Sequence, residues 1–265
     1  MHSLFLSRLL FLCSLSSLGV LSCVPQSAAQ QLIARSGPQT AALLELYTSE
    51  GCNSCPPADE WVNTLAKQGF GLDRVIPLGL HVDYWDNLGW PDRFAQAMFT
   101  QRQRDIAARQ RSRTIYTPQL VLQGQSLTQW ETFATEVQRI NQTKARADLT
   151  LTLTRQPTQE LTVLVQAHIP EAASRQLAKM HVVLYENHLT SDVKAGENKG
   201  RTLRHNYVVR QWIGPADLNT AGTTHLERTL TLPTEWKAQN MGVVVFVQQP
   251  QTGEVLQALG LPLGQ

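Results

Sequence analysis

Cysteine is scarce in this chain, with four residues in 265, too few for the small, cysteine-dense scaffolds that disulfides hold together. An excess of charge is also missing. Lys plus Arg number 23 and Asp plus Glu 21, a formal +2, which excludes the basic footprint of a nucleic-acid binder. No long hydrophobic run follows the segment ending near Leu21, so a multispan membrane protein is excluded. With 42% hydrophobic and 17% charged residues, a wholly disordered or collagen-like chain is excluded as well. The length predicts one or two domains.

The N-terminus reads as an export signal. Arg8 supplies the positive charge, Leu9 to Leu21 form the apolar stretch, and the small residues Ser27, Ala28 and Ala29 precede Gln30. That order suits cleavage near Ala29 and places the mature chain in the periplasm or outside the cell. One alternative is an uncleaved anchor, for which the run is short. Another is a lipoprotein signal, because Val20-Leu21-Ser22-Cys23 loosely resembles a lipobox and would tether the chain through Cys23. Cleavage removes Cys13 and Cys23 and leaves Cys52 and Cys55. Once Arg8 is gone, 22 basic residues stand against 21 acidic ones. A chain of this length has core enough to fold without staples, so the remaining pair is free to be chemistry.

Residues 30–40 are polar and contain Gly37-Pro38, as expected of a flexible lead-in. Ala41 to Thr48 is a nearly continuous apolar run of strand length, the pattern of a buried parallel strand. Pro56 and Pro57 fit only the first turn of a helix, which Trp61, Val62 and Leu65 carry to near Gly69. A second strand is predicted over 75–82 and a helix from Phe94 to near Arg109. A short strand follows over 119–123, closed by Gly124. Thr128 and Glu131 are spaced as a capping box, opening a helix with Phe133, Val137 and Ile140 on its apolar face. The alternation of strand and helix predicts an α/β domain over residues 41–146.

From residue 147 the period changes. Leu149, Leu151 and Leu153 alternate with threonines, and Leu161, Val163 and Val165 alternate again. Further strands are expected at 181–186, 203–212, 225–232 and 242–248, with a turn at Pro250 to Gly253 before a last short one. Residues 147–265 therefore read as an all-β, sandwich-like domain.

Cys52 and Cys55, at i and i+3, lie on one helical face, near enough for a disulfide or one edge of a metal site. At a helix N-terminus, free N–H groups and the dipole favour the Cys52 thiolate. Cys55, one turn in, would then act as the resolving thiol. The reaction is disulfide exchange through a mixed disulfide.

Strand, Cys-x-x-Cys at a helix start, and a later Thr117-Pro118 before QLVLQ resemble the thioredoxin superfamily. More closely, LELYTSEGCNSCPPAD, HVDYWDNLGWPDRFA, YTPQLVLQG and GENKGRTLRHNYVVR resemble an uncharacterised bacterial family of secreted thioredoxin-like proteins. The resemblance implies a thioredoxin-like domain with a β-rich C-terminal part. It also implies a cis-proline at Pro118 as the substrate-side wall, with Thr117 at the substrate-binding position; the alternative is an ordinary trans turn proline. Thioredoxins carry Trp before the first Cys and Gly-Pro between the two, where this chain has Gly51 and Asn53-Ser54. They also place a buried acid six residues before the first Cys. That position is Leu46 here, with Glu45 one residue off and therefore turned to the opposite face of its strand.

Other residues carry weaker signals. His81 ends the second strand, where α/β sites gather; it is read as a strand-end histidine or as a third ligand, with both thiolates, for copper or zinc. Trp85 and Trp90 are read as packing, or as the floor of a peptide groove. Arg102, Arg104, Arg109, Arg111 and Arg113 are read as a solvated face, with an anion site as the alternative. The loop Gly196 to Arg201, followed by His205, is read either as a structural turn or as a segment that binds a partner or lies over the disulfide. His168, His181, His188 and His225 show no metal-site spacing and are read as structural.

The leading expectation is an exported thiol–disulfide oxidoreductase acting on protein or peptide disulfides. It needs no dissociable cofactor and binds neither nucleic acid nor, unless lipidated at Cys23, a membrane. The alternatives are a copper- or zinc-handling protein using Cys52, Cys55 and His81, and a non-catalytic binding module with a structural disulfide.

Overall fold

A computed structural model describes residues 30–156, 158–175, 177–219 and 222–264. The expected signal segment, with Arg8, Cys13 and Cys23, lies outside the described residues. In chain order the first elements are β1 (Gln30–Arg35), β2 (Ala42–Thr48), α1 (Pro56–Thr64), β3 (Val75–His81), α2 (Ala97–Arg109), β4 (Gln119–Leu122), β5 (Gln125–Ser126) and α3 (Phe133–Asn141). They are followed by β6 (Asp148–Arg155), β7 (Glu160–His168), α4 (Ala172–Arg175), β8 (Lys179–Glu186), β9 (Leu189–Asp192) and β10 (Thr202–His205). The last are β11 (Val208–Asp217), β12 (Thr223–Thr231), β13 (Met241–Gln248) and β14 (Val255–Pro262). Among the described residues no helix is long and apolar enough to cross a membrane.

The two continuous apolar runs become the inner strands β2 and β3, buried along their whole length and paired in parallel from Ala42–Val75 to Thr48–His81. Alternate residues of β2 serve opposite layers. Leu43 and Tyr47 pack with Phe99 and Ile106 of α2. Ala42, Leu44 and Leu46 pack with Ala58 and Val62 of α1 and Phe133 and Val137 of α3. The fold is mixed α/β and rich in sheet.

The strand order of the large sheet is β14-β13-β8-β11-β3-β2-β4-β5, and β1-β6-β7-β12 form a second, antiparallel sheet. The leucines and valines of β6 and β7 pack on Met180, Val182 and Leu184 of β8 and on Val243 and Val245 of β13. The intervening residues Val183, Tyr185, Val244 and Phe246 join the core of β2, β3 and α2. Two sheets thus face each other as a sandwich, and both draw strands from either side of residue 147, the expected domain boundary. The junction is β11 beside β3, parallel at Val208–Gly79, where the Gly79 N–H donates to Tyr207 O at 2.8 Å.

Local expectations are corrected at four places. Residues 30–35 are not a flexible lead-in but the edge strand β1, paired with β6 from Gln30–Arg155 to Arg35–Thr150. Their polar composition reflects an edge with one wet face, while Leu32 and Ala34 pack on the core. The capping box does not form: a 3-10 turn at Trp130–Thr132 intervenes and α3 starts at Phe133. Helix α2 starts at Ala97 rather than Phe94, whose N–H is taken by Asp92 Oδ1 at 2.9 Å. The strand expected over 203–212 is broken at Tyr207, which has a positive φ, and its second half runs on to Asp217.

Candidate functional site

Cys52 and Cys55 form a disulfide with their Cα atoms 5.5 Å apart. They sit in the turn between β2 and α1, where Cys55 is the N-cap and Pro56 and Pro57 occupy the first helical positions. Proline lacks an N–H and its φ is already helical, so the sequence starts α1 at that point. Both cysteines are fully buried, whereas Asn53 and Ser54 between them are exposed.

Two distant segments hold this turn. The buried Asn198 donates its Nδ2 to the carbonyls of Glu50 and Cys52, each at 2.9 Å, and is oriented by Arg201 Nη1 on its Oδ1 at 3.0 Å. Next to it, the Glu197 carboxylate accepts from the Asn53 N–H at 3.1 Å. The Gly196–Arg201 loop therefore lies against the disulfide turn. On another side, Trp85 donates its indole N–H to Thr117 Oγ1 at 2.8 Å, and its Cβ lies 3.2 Å from where a Gly51 side chain would begin. Glycine before the first cysteine thus makes room for Trp85, which ties the disulfide turn to Thr117-Pro118. The Thr117–Pro118 peptide is cis.

Glu45 does not approach the disulfide from beneath. Its carboxylate is held by Arg102 Nε and Nη2 at 2.7 and 2.9 Å and accepts from Tyr47 Oη at 2.8 Å, on the α2 side of the sheet. Arg102 is therefore no part of a solvated face. Its guanidinium lies 4.8 Å from the Trp212 ring centre.

Buried acids come instead from residues that sequence reasoning passed over. Glu50, Asp59 and Asp92 are all buried, as are His81 and His205. His81 Nδ1–H donates to Asp92 Oδ2 at 2.6 Å, and Asp92 Oδ2 also accepts the Glu50 N–H at 2.8 Å. Trp90 Nε1 donates to Glu50 Oε2 and Thr48 Oγ1 to Asp59 Oδ2, both at 2.8 Å. His205 lies between the acids, its Nε2 3.3 Å from Glu50 Oε1 and its Nδ1 3.6 Å from Asp59 Oδ1. Burial alone would push the His205 pKa down, but the contacts with Asp59 and Glu50 carry it up to about 9. Burial would likewise raise the Glu50 and Asp92 carboxyls, and His205 and His81 hold them below their usual range instead. Asp59 sits four residues after Cys55 in α1, and its N–H donates to Cys55 O at 3.2 Å, which places the cluster one helical turn from the disulfide.

The structure thus brings Cys52 and Cys55 together and links Thr117 to the same region through Trp85. His81 belongs to the buried cluster. Among the described residues its close donor neighbours are Asp59 and His205, not the cysteines. No spacing rule marks Glu50, Asp59, Asp92 or Asn198; the only signal was the clustering of polar residues in GENKGRTLRHN for Asn198 and in HVDYWDNLGWPD for Asp92. His181, read as structural, is buried, stacked on Phe246 at 4.7 Å and accepting from Trp212 Nε1.

No curated protein matches the chain. Among solved structures it is similar to protein AGR_C_4864 from Agrobacterium tumefaciens, at 23% identity and TM-score 0.57, covering 87% of this chain and 97% of that one. It is also similar to HBP35 of Porphyromonas gingivalis, at 14% identity and TM-score 0.67, covering 87% and 77%. At these identities the likeness is one of fold. A family model described as "Protein of unknown function (DUF1223)" matches residues 43–248, from β2 through the disulfide turn to the end of β13, and the chain belongs to that family.

Proposed function

We propose that the protein is an exported thiol–disulfide oxidoreductase, with residues 41–146 as a thioredoxin-like unit whose sheet the C-terminal strands extend. The observation that carries this reading is the Cys52–Cys55 disulfide in the β2–α1 turn, at a helix N-terminus. In the reduced form, the free N–H groups and dipole of α1 favour a Cys52 thiolate. That thiolate attacks a sulfur of a protein or peptide disulfide. The substrate S–S bond breaks, a mixed disulfide forms, and one substrate thiolate leaves. Cys55 then attacks Cys52 Sγ, releasing the second substrate thiol and re-forming the intramolecular disulfide. Two electrons pass from the dithiol to the substrate, and an external dithiol restores them; run backwards, the same steps oxidise a substrate.

Thr117 and Pro118 line the substrate side in this reading, and no dissociable cofactor takes part. Because both cysteines are buried in the oxidised form, exchange requires a movement that uncovers Cys52. The Gly196–Arg201 loop, held to Asn53 through Glu197, is the segment best placed to make it. Residues 1–29 supply the export signal, with Cys23 as a lipid anchor if the lipobox is used.

The test is the reduction potential of the Cys52–Cys55 couple, read by thiol alkylation across glutathione and dithiothreitol series. A reversible couple between about −120 and −270 mV is expected. One below about −300 mV marks a structural disulfide and overturns the proposal. Cys52→Ser is expected to abolish exchange with a protein disulfide while the far-ultraviolet circular dichroism stays that of the parent.

A further inference from the structure

The buried polar cluster beside the disulfide turn has more acid than its neighbours balance. Glu50, Asp59 and Asp92 contribute three carboxylates, and among the described residues their ion-pair contacts come from two imidazoles, His81 and His205, rather than from lysine or arginine. Unpaired negative charge away from water is costly. The cluster also contains nitrogen atoms that lack a well-formed hydrogen bond. His81 is 1% exposed, its Nδ1 is committed to Asp92, and its Nε2 has no hydrogen-bond partner among the described residues. Both ring nitrogens of His205 lack a well-formed hydrogen bond, as does Glu50 Oε1.

These atoms converge. One donor atom each from Asp59, His81 and His205 lies within 4.8 Å of the others. A tetrahedral zinc centre with bonds of about 2.0–2.1 Å spaces its ligands by roughly 3.4 Å, so small side-chain rotations close the set. The supporting contacts are those a metal site uses. A carboxylate on the far nitrogen of a histidine fixes its tautomer and aims the other lone pair at the ion, as Asp92 does for His81 at 2.6 Å. Thr48 Oγ1 on Asp59 Oδ2 fixes the carboxylate in the same way.

We infer that Asp59, His81 and His205 form a binding site for one divalent first-row transition-metal ion of the zinc class, separate from the cysteine pair. Two imidazoles and one carboxylate suit such ions better than magnesium or calcium, which take oxygen ligands. The site draws on α1, β3 and β10, so a bound ion cross-links the helix that carries Cys55 to two strands. The inference does not depend on the redox proposal, since neither sulfur is a ligand.

The test uses the full oxidised chain, unfolded in denaturant with a chelator, desalted, and refolded with or without zinc, because the ligands are buried. One equivalent of zinc is expected to remain after desalting, by elemental mass spectrometry. His205→Gln and Asp59→Asn are each expected to weaken retention at least tenfold in competition with a chromophoric chelator. Cys52→Ser/Cys55→Ser is expected to retain the full equivalent. Should either ligand variant fail to fold, cobalt(II) in the reduced wild-type protein decides: d–d bands without a thiolate-to-cobalt charge-transfer band are expected. Zinc below about one-fifth of an equivalent, retention unchanged in both folded ligand variants, loss of the ion with the cysteines, or a thiolate band would each overturn the inference.

Discussion

Asn198 stands 146 residues after Cys52, yet its side-chain amide donates to the Cys52 carbonyl at 2.9 Å and, at the same distance, to that of Glu50. One buried side chain from the C-terminal half thus fixes the backbone on both sides of Gly51. Asn198→Ala takes the side-chain donor from the Glu50 carbonyl and leaves the Cys52 carbonyl with the Cys55 N–H at 3.3 Å, and is expected to destabilise the oxidised protein by about 1–3 kcal/mol, the cost of one lost partner. Asn53→Ala, an exposed position in the same turn, is expected to stay within about 0.5 kcal/mol. Urea unfolding of the two variants makes the comparison.

The buried Glu45 and the half-buried Arg102 form a bidentate pair on the sheet face opposite α1. Glu45→Leu or Arg102→Met alone strands the other charge and is expected to cost roughly 3–5 kcal/mol. The double variant is expected to recover part of that loss, because both desolvation penalties go together, while the buried Tyr47 hydroxyl is left without its acceptor. Because Glu45 faces away from α1, Glu45→Leu is also expected to leave the midpoint potential of the disulfide where it was. A potential shift like that of a buried proton acceptor would show that Glu45 acts on the thiols.

His181 is 8% exposed. Burial first, and then the charge of Arg102, push its pKa down to about 3. In the unfolded chain it titrates near 6.5. As pH falls from 7 to 5 the unfolded state takes up a proton that the folded state refuses, so stability drops, by about 2 kcal/mol from this residue. His181→Phe keeps a ring against Phe246 and removes the titration. Guanidinium unfolding at pH 7 and pH 5 is expected to show a smaller acid loss in the variant by that amount. Equal losses would disprove the assignment.

Gly124 and Gly69 share a positive φ, 79° and 84°, but not their surroundings. A Cβ on Gly124 would lie 2.0 Å from Gly253 O, whereas one on Gly69 meets nothing within 4 Å. Gly69→Ala is expected to cost about 1–2 kcal/mol, the left-handed backbone term alone. Gly124→Ala adds a backbone clash and is expected to cost at least about 3 kcal/mol. Thermal unfolding separates the two.

Much of the local structure was legible. The all-apolar pattern of β2 and β3 and the alternation of β6 and β7 follow from burial on two faces or one. Pro56-Pro57 marks the start of α1 because no later helical position tolerates them. The period of two also placed Glu45 and Leu46 on opposite faces, and their contacts agree. The capping box failed because its spacing is compatible with a 3-10 turn as well as with an α-helix start.

By itself, the sequence determined which segments pair two cysteines at a helix start and which faces of its strands are apolar, since those properties are set by neighbours along the chain. Only the tertiary structure decided that β11 lies beside β3, so that the large sheet runs through both halves. The same pairing carries His205 and Asn198 to the disulfide turn. Glu50, Asp59, His81, Asp92 and His205 come from five separate segments, and their meeting depends on sheet order. Sheet order is a choice among long-range pairings that leaves no periodic trace in the sequence.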